Sequence, residues 1–185
     1  MAVFRKLLLA GAVASTAALA GSAADERADR LDALFAELAE PGREDWARIE
    51  REIQRLWSQS GSPAMDLLLR RGSEAMGASD HEGAVEHLSA LTDHAPQFAE
   101  GWNARATAFF YMGEYSLSLG DIQRTLALEP RHFGALEGMA AILEEMGRVD
   151  VALEALRAAH RLNPNRPSVQ AAMARLGRKA GAADL

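Results

Sequence analysis

The sequence predicts an all-α fold, an α-α superhelix in which helical pairs stack one on the next. Three observations lead there. Pro96, Pro130 and Pro164 stand 34 residues apart, and a fixed period of that size marks an array of supersecondary units. Between them, apolar residues recur at spacings of three and four, which is helical rather than strand periodicity. Alanine is abundant and aromatics make up only 6%, a mixture that favours helix because alanine loses no side-chain entropy there.

The chain of 185 residues begins with Arg5 and Lys6, an uncharged run from Leu7 to Ala20, and small residues through Ala24. Basic start, apolar core and small-residue end are the order of a secretory leader. Residues 1–24 are therefore expected to be a cleaved signal peptide. The apolar core is short for a membrane span, which needs about 20 residues, so no stable span is expected after cleavage. The Ala-rich core has a bacterial character, and the mature chain is expected to be periplasmic.

Residues 25–62 carry two helical stripes. Leu31, Leu34, Phe35 and Leu38 form one; Trp46, Ile49, Ile53, Leu56 and Trp57 form the other; Pro41-Gly42 separates them. They predict a degenerate N-terminal pair stacked on the first repeat. Ser60-Gly61-Ser62-Pro63 then reads as a stop followed by a start, with Pro63 at a first helical position.

The repeat domain spans 63–185, with repeats at 65–98, 99–132 and 133–166 and a capping helix at 167–179. Its columns are consistent. Leu68, Trp102 and Leu136 share one, and Trp102 is expected to be mostly buried. Gly72, Ala106, Ala140 and Ala174 share another; Ala84, Ser118 and Ala152 a third; Leu88, Ile122 and Leu156 a fourth. Small residues recur where helices approach closely. Gly113 and Gly147 occupy a turn column in which the first repeat has Ser79, a position where positive φ is cheap for glycine.

Trp102, Ala106, Phe109, Gly113, Tyr115, Ser118, Ile122, Leu126 and Pro130 stand where the tetratricopeptide repeat has its signature, and the chain resembles that family over its repeats. The resemblance implies a helical superhelix whose inner wall binds other polypeptides. It implies a candidate partner-binding set of Leu69, Ser73, Met76, Asn103, Thr107, Phe110, Tyr111 and Glu137 on the first helices. Some members grip a C-terminal carboxylate with Lys, Asn and Arg. This chain has Leu69, Ser73, Ala104, Gly134 and Gly138 at those places, so the clamp is absent. An apolar or helical segment suits the wall better.

Other chemistry is not indicated. Without cysteine there are no disulfides, thiolate metal sites or cysteine nucleophiles. A net charge of −6 offers no basic field to nucleic acid. His81, His87, His94, His132 and His160 show no ligand spacing and are expected at the surface, as are Asp45, Glu50, Glu144 and Glu145. No nucleophile elbow or phosphate loop occurs. No cofactor, no metal and no catalysis are expected. The expected function is a protein- or peptide-binding scaffold, the alternatives being a homodimerising module or a membrane-held accessory subunit.

One internal pattern predicts a specific contact. Position seven of the repeats is Arg71, Arg105 and Met139; position 23 is His87, Asp121 and Ala155. Polar accompanies polar and apolar accompanies apolar. Arg105 and Asp121 are therefore expected to form a shielded ion pair across the second repeat.

Overall fold

The computed structural model describes the backbone of residues 11–183 and the side chains of residues 25–181. Arg5 and Lys6 of the expected leader lie outside the described residues. The described residues form nine helices and no strand: α1 (Gly11–Leu38), α2 (Trp46–Trp57), α3 (Pro63–Gly77), α4 (His81–His94), α5 (Ala99–Tyr111), α6 (Tyr115–Leu128), α7 (Phe133–Glu145), α8 (Val149–Leu162) and α9 (Pro167–Ala183). The capping helix thus runs past its expected end at residue 179. None of these helices is long and apolar enough to cross a membrane.

Local chemistry sets the boundaries. Pro63 opens α3 at its first turn, where a missing N–H costs nothing. The Asp80 carboxylate accepts the Gly83 N–H at 3.0 Å and caps α4. Gly113 and Gly147 take φ of +77° and +73° between the helices of the second and third pairs. Ser79 takes φ +60° at the equivalent turn without glycine's freedom.

The pairs α3–α4, α5–α6 and α7–α8 pack internally and against the next pair, and α3, α5 and α7 follow one another along one wall. The small-residue columns explain the spacing. A Cβ on Gly72 would stand 2.5 Å from Leu88 Cγ. Ala106, Ala140, Ala84, Ser118 and Ala152 are buried likewise. The Ser118 hydroxyl, polar in an otherwise apolar column, donates to the Ala106 carbonyl at 2.7 Å, which removes the cost of burying it. Ala174, in the same column as Ala106 and Ala140, is exposed on α9.

Arg105 and Asp121 meet as expected. Nε donates to Oδ2 at 2.7 Å and Nη2 to Oδ1 at 2.9 Å, with the side chains 16% and 9% exposed. Trp102 is mostly covered, as expected, its indole N–H donating to the Pro96 carbonyl at 3.1 Å and the Arg105 guanidinium lying 4.9 Å from its ring. Its amphipathic ring sits at the boundary, apolar face covered and N–H satisfied.

The N-terminal pair departs from expectation. Its stripes meet each other, but the apolar cluster they form continues to Phe133 and Leu162, not into the first repeat. The hairpin docks on the loops that precede α7 and α9. Trp57 stacks on His132 at 4.2 Å and 11°. Arg131 reaches Asp32 at 2.6 Å and covers the Phe35 ring. Asn165 closes the hairpin turn: its Oδ1 accepts the Gly42 and Arg43 N–H groups, and its Nδ2 donates to the Leu38 and Glu40 carbonyls. Glu50, expected in solvent, is 8% exposed and accepts from Asn163 at 3.0 Å and Arg166 at 2.8 Å. The buried carboxylate survives because both oxygens are paired.

Candidate functional site

The helical repeat places Asn103, Thr107, Phe110 and Tyr111 at i, i+4, i+7 and i+8, on one face of α5. They form one wall of a groove of about 130 Å³ whose other wall is α7, with Gly134, Ala135, Gly138, Ala141 and Ile142. Ala106, Ser118 and Ile122 make the floor. All four α5 residues expected to bind a partner are thus brought together.

The aromatics hold distinct positions. Phe110 is half-buried, packed against the cluster of Ala106, Ile122, Ala135 and Ile142. Tyr111 is 62% exposed, its face against His81 at 5.4 Å and its ring edge-on to Phe110 at 5.7 Å. One ring anchors the wall and the other stands open above it.

A polar chain leads from the groove to the hairpin. Asn103 Nδ2 lies 3.4 Å from Glu100 Oε1, and Glu100 Oε2 lies 2.9 Å from His132 Nε2. His132 Nδ1 accepts the Ala135 N–H at 3.1 Å. That bond leaves the proton on Nε2, which donates to Glu100. His132 was expected at the surface, yet it is buried as the cap of α7.

Glu137 lies elsewhere. It lines a second hollow of about 220 Å³ between α7 and α9, with Glu144, Val169, Ala172, Arg175 and Leu176, and Ala141 is common to both hollows. Burial pushes the Glu137 carboxyl above the usual carboxylate range, against the pull of Arg166 and with the push of Glu50. At the far end of this hollow Arg175 pairs with Glu144 and holds it below that range.

The α3 candidates do not join the groove. Leu69 is 7% exposed and belongs to the core with Ala84, Leu88, Leu91 and Ala108. Met76 packs half-buried against that core. Only Ser73 is open, its hydroxyl donating to the Leu69 carbonyl. Position five of α3, Leu69, thus points inward, toward α4 and α5. Among the described residues no group of three or more His, Asp or Glu side chains is placed to hold a metal ion.

The wall glycines were visible in the sequence only as missing clamp residues. Their signal was present all the same, because helix-interior glycine is disfavoured and asks for a reason.

Comparison with known proteins agrees with the fold. The model of the tetratricopeptide repeat matches residues 133–176. A TPR repeat-containing protein of Rhizobium etli is 42% identical over 127 residues, covering 68% of this chain and 62% of its own length. The bimA protein of Emericella nidulans is 27% identical over 86 residues, 46% of this chain and 11% of that protein. The chain therefore spans less than two thirds of either relative. Among solved structures, the first TPR of Spaghetti bound to an HSP90 peptide superimposes with TM-score 0.63 at 16% identity, covering 65% of this chain and 95% of that one. The Sgt2 TPR domain from Aspergillus fumigatus gives 0.63 at 19%, covering 66% and 83%. The Yersinia enterocolitica secretion chaperone SycD, in complex with a YopD peptide, gives 0.60 at 17%, covering 64% and 96%. With its 34-residue period, paired helices and matching relatives, the chain belongs to the tetratricopeptide-repeat family.

Proposed function

We propose that this protein is a non-catalytic scaffold that receives a segment of another polypeptide in the groove between α5 and α7. The observation that carries this reading is Tyr111, a large aromatic 62% exposed beside a cavity. Exposed aromatics at a concave wall are the usual anchors of recognition. Two structural neighbours hold peptides, one from HSP90 and one from YopD. The leader-like N-terminus favours export to a periplasm as the place where this binding occurs.

The test is a photo-reactive residue at Thr107, which is exposed on the groove wall, with the same group at Gln123 on α6 as control. A discrete adduct at 107 alone, lost in Phe110→Ala/Tyr111→Ala while helicity holds, supports the groove. Equal labelling from both sites, or an adduct indifferent to the two aromatics, rejects it.

A second reading has one observation in its favour. Met112, Leu117, Met146 and Val151 are exposed, and the last two repeat the first two at the same 34-residue offset. Such a row suits self-association, and light scattering of the chain decides it.

A further inference from the structure

The N-terminal hairpin is joined to α3 by residues 58–62 and docks on the loops before α7 and α9. One of its side chains, Glu50, ends at a contested cation. Arg166 Nη1 donates to Glu50 Oε1 at 2.8 Å, and the same nitrogen lies 3.0 Å from Glu137 Oε1 on α7. The guanidinium does not serve both carboxylates equally. Its Nε is turned to Ser168 Oγ at 3.2 Å, and Glu137 Oε1 is buried without a hydrogen bond. Glu50 has both oxygens bonded, the second taking the Asn163 amide at 3.0 Å. Two carboxylates from two elements therefore share one cation, and the one on α7 is under-satisfied.

The other charges near Glu137 are already paired. At the far end of its hollow Arg175 holds Glu144. On the side of α5, Glu100 meets His132. Burial and the Glu50 charge both push the Glu137 carboxyl upward, against the pull of Arg166. When the hairpin leaves, Glu50 goes with it, water reaches Glu137, and Arg166 is left to Glu137 alone. Each of these changes favours the ionised carboxylate. The docked state therefore keeps a proton on Glu137 that the undocked state gives up, so docking and protonation strengthen each other.

We infer that Glu137 is a proton-operated latch on the N-terminal hairpin. Neutral, it yields Arg166 to Glu50 and the hairpin is held. Ionised, it competes for Arg166 and the hairpin loosens. The device belongs to the fold itself and does not depend on what the groove between α5 and α7 receives. Its sign is fixed: lowering the pH from neutrality tightens docking, with a midpoint above the ordinary carboxyl value of 4.5.

Amide exchange of the full chain between pH 4.5 and 8 tests this, each rate being divided by the intrinsic rate at that pH. Protection in α2 reports docking, and protection in α4 and α6 reports whether the repeats are folded. In the natural chain α2 protection should rise about fivefold or more from pH 8 to the acid end, with α4 and α6 unchanged. Glu137→Gln, neutral at every pH, should hold α2 at the acid level throughout. Glu50→Gln should lower α2 protection and flatten its pH response, because the competitor for Arg166 is gone.

A pH-independent α2 in the natural chain, with no variant needed, overturns the latch. Equal changes in α2, α4 and α6 reduce it to stability of the whole array and overturn it. A response that survives Glu137→Gln puts the proton elsewhere, His132 being the nearest other site, and rejects Glu137. A Glu137→Gln chain held at the loosened level shows that the carboxylate grips the hairpin rather than frees it. An unaltered response in Glu50→Gln removes the competition for Arg166.

Discussion

Arg105 joins two repeats through one guanidinium, which makes its removal a sharp test of how the array is held. Beyond Asp121, its Nη1 donates to Ser89 Oγ at 3.2 Å and Thr92 Oγ1 at 3.0 Å on α4. The dependence is unequal. The Asp121 carboxylate takes both of its bonds from Arg105, while Arg105 keeps Ser89, Thr92 and the Trp102 face if Asp121 is removed. Arg105→Ala strands a buried carboxylate and should cost about 3–5 kcal/mol. Asp121→Ala leaves a cation that retains donors and some water, and should cost about 2–3 kcal/mol. Replacing both by Met and Leu should recover most of either loss, because an apolar pair has no charge to desolvate. Urea unfolding with midpoint and slope compared for each variant measures this. A loss below about 1 kcal/mol for Arg105→Ala, the range of an exposed pair, refutes the reasoning. Strict additivity of the two alanine substitutions refutes it as well.

Three further outcomes follow from other contacts. Ser79→Gly should raise stability by about 0.5–1 kcal/mol, since φ +60° is strained for serine and free for glycine; an unchanged urea midpoint contradicts that. Glu137→Gln should raise the melting temperature at neutral pH. Its carboxyl is held above the ordinary 4.5 by burial, against Arg166 and with Glu50, so the folded state holds its proton longer. This group therefore subtracts stability as pH rises from 4.5 through the raised value. The gain should vanish well below pH 4.5, and a gain that persists in acid contradicts the sign. Trp57→Ala removes the stack on His132 and contacts with Phe35 and Phe133. It should release the hairpin while the repeats stay folded, read as amide exchange rising in α2 but not in α4 or α6; uniform exchange across the array counts against an independently docked hairpin.

Where a residue's surroundings lie within its own pair, the sequence was enough. The alternation of Arg105, Asp121, Met139 and Ala155 identified a contact sixteen residues apart because one helical hairpin brings those positions together. The small columns and the glycine turns were legible for the same reason. Phe110 and Tyr111 were legible as groove residues from helical register. Leu69 was not, although it holds the same register as Asn103. The two positions differ in what lies beside them, and Leu69 is drawn into the α4 core where Asn103 cannot be. Trp102 was legible as a packing position, but not the acceptor its indole N–H needs, which the Pro96 carbonyl supplies.

The hairpin shows what local periodicity cannot carry. The stripes of Leu31 to Leu38 and Ile49 to Trp57 demand burial without saying against what. Stacking on the first repeat would have continued the array, but the decisive complement is polar and lies more than a hundred residues away. Asn165 mimics a stretch of backbone, accepting two N–H groups and donating to two carbonyls of the hairpin turn. Asn163 and Arg166 satisfy Glu50, a carboxylate that would forbid burial anywhere lacking such donors. Apolar stripes therefore set the hairpin's need, and polar pairing sets its address. The consequence reaches the function. A repeat array alone is held by nearest neighbours, whereas this hairpin binds the loops before α7 and α9 at once. Through Arg166, shared by Glu50 and Glu137, and through His132, held between Trp57 and Glu100, it fixes the start of α7. That helix forms the glycine wall of the groove proposed to receive a partner, so on that proposal the docked hairpin holds the wall in place beforehand and leaves less ordering for binding to accomplish.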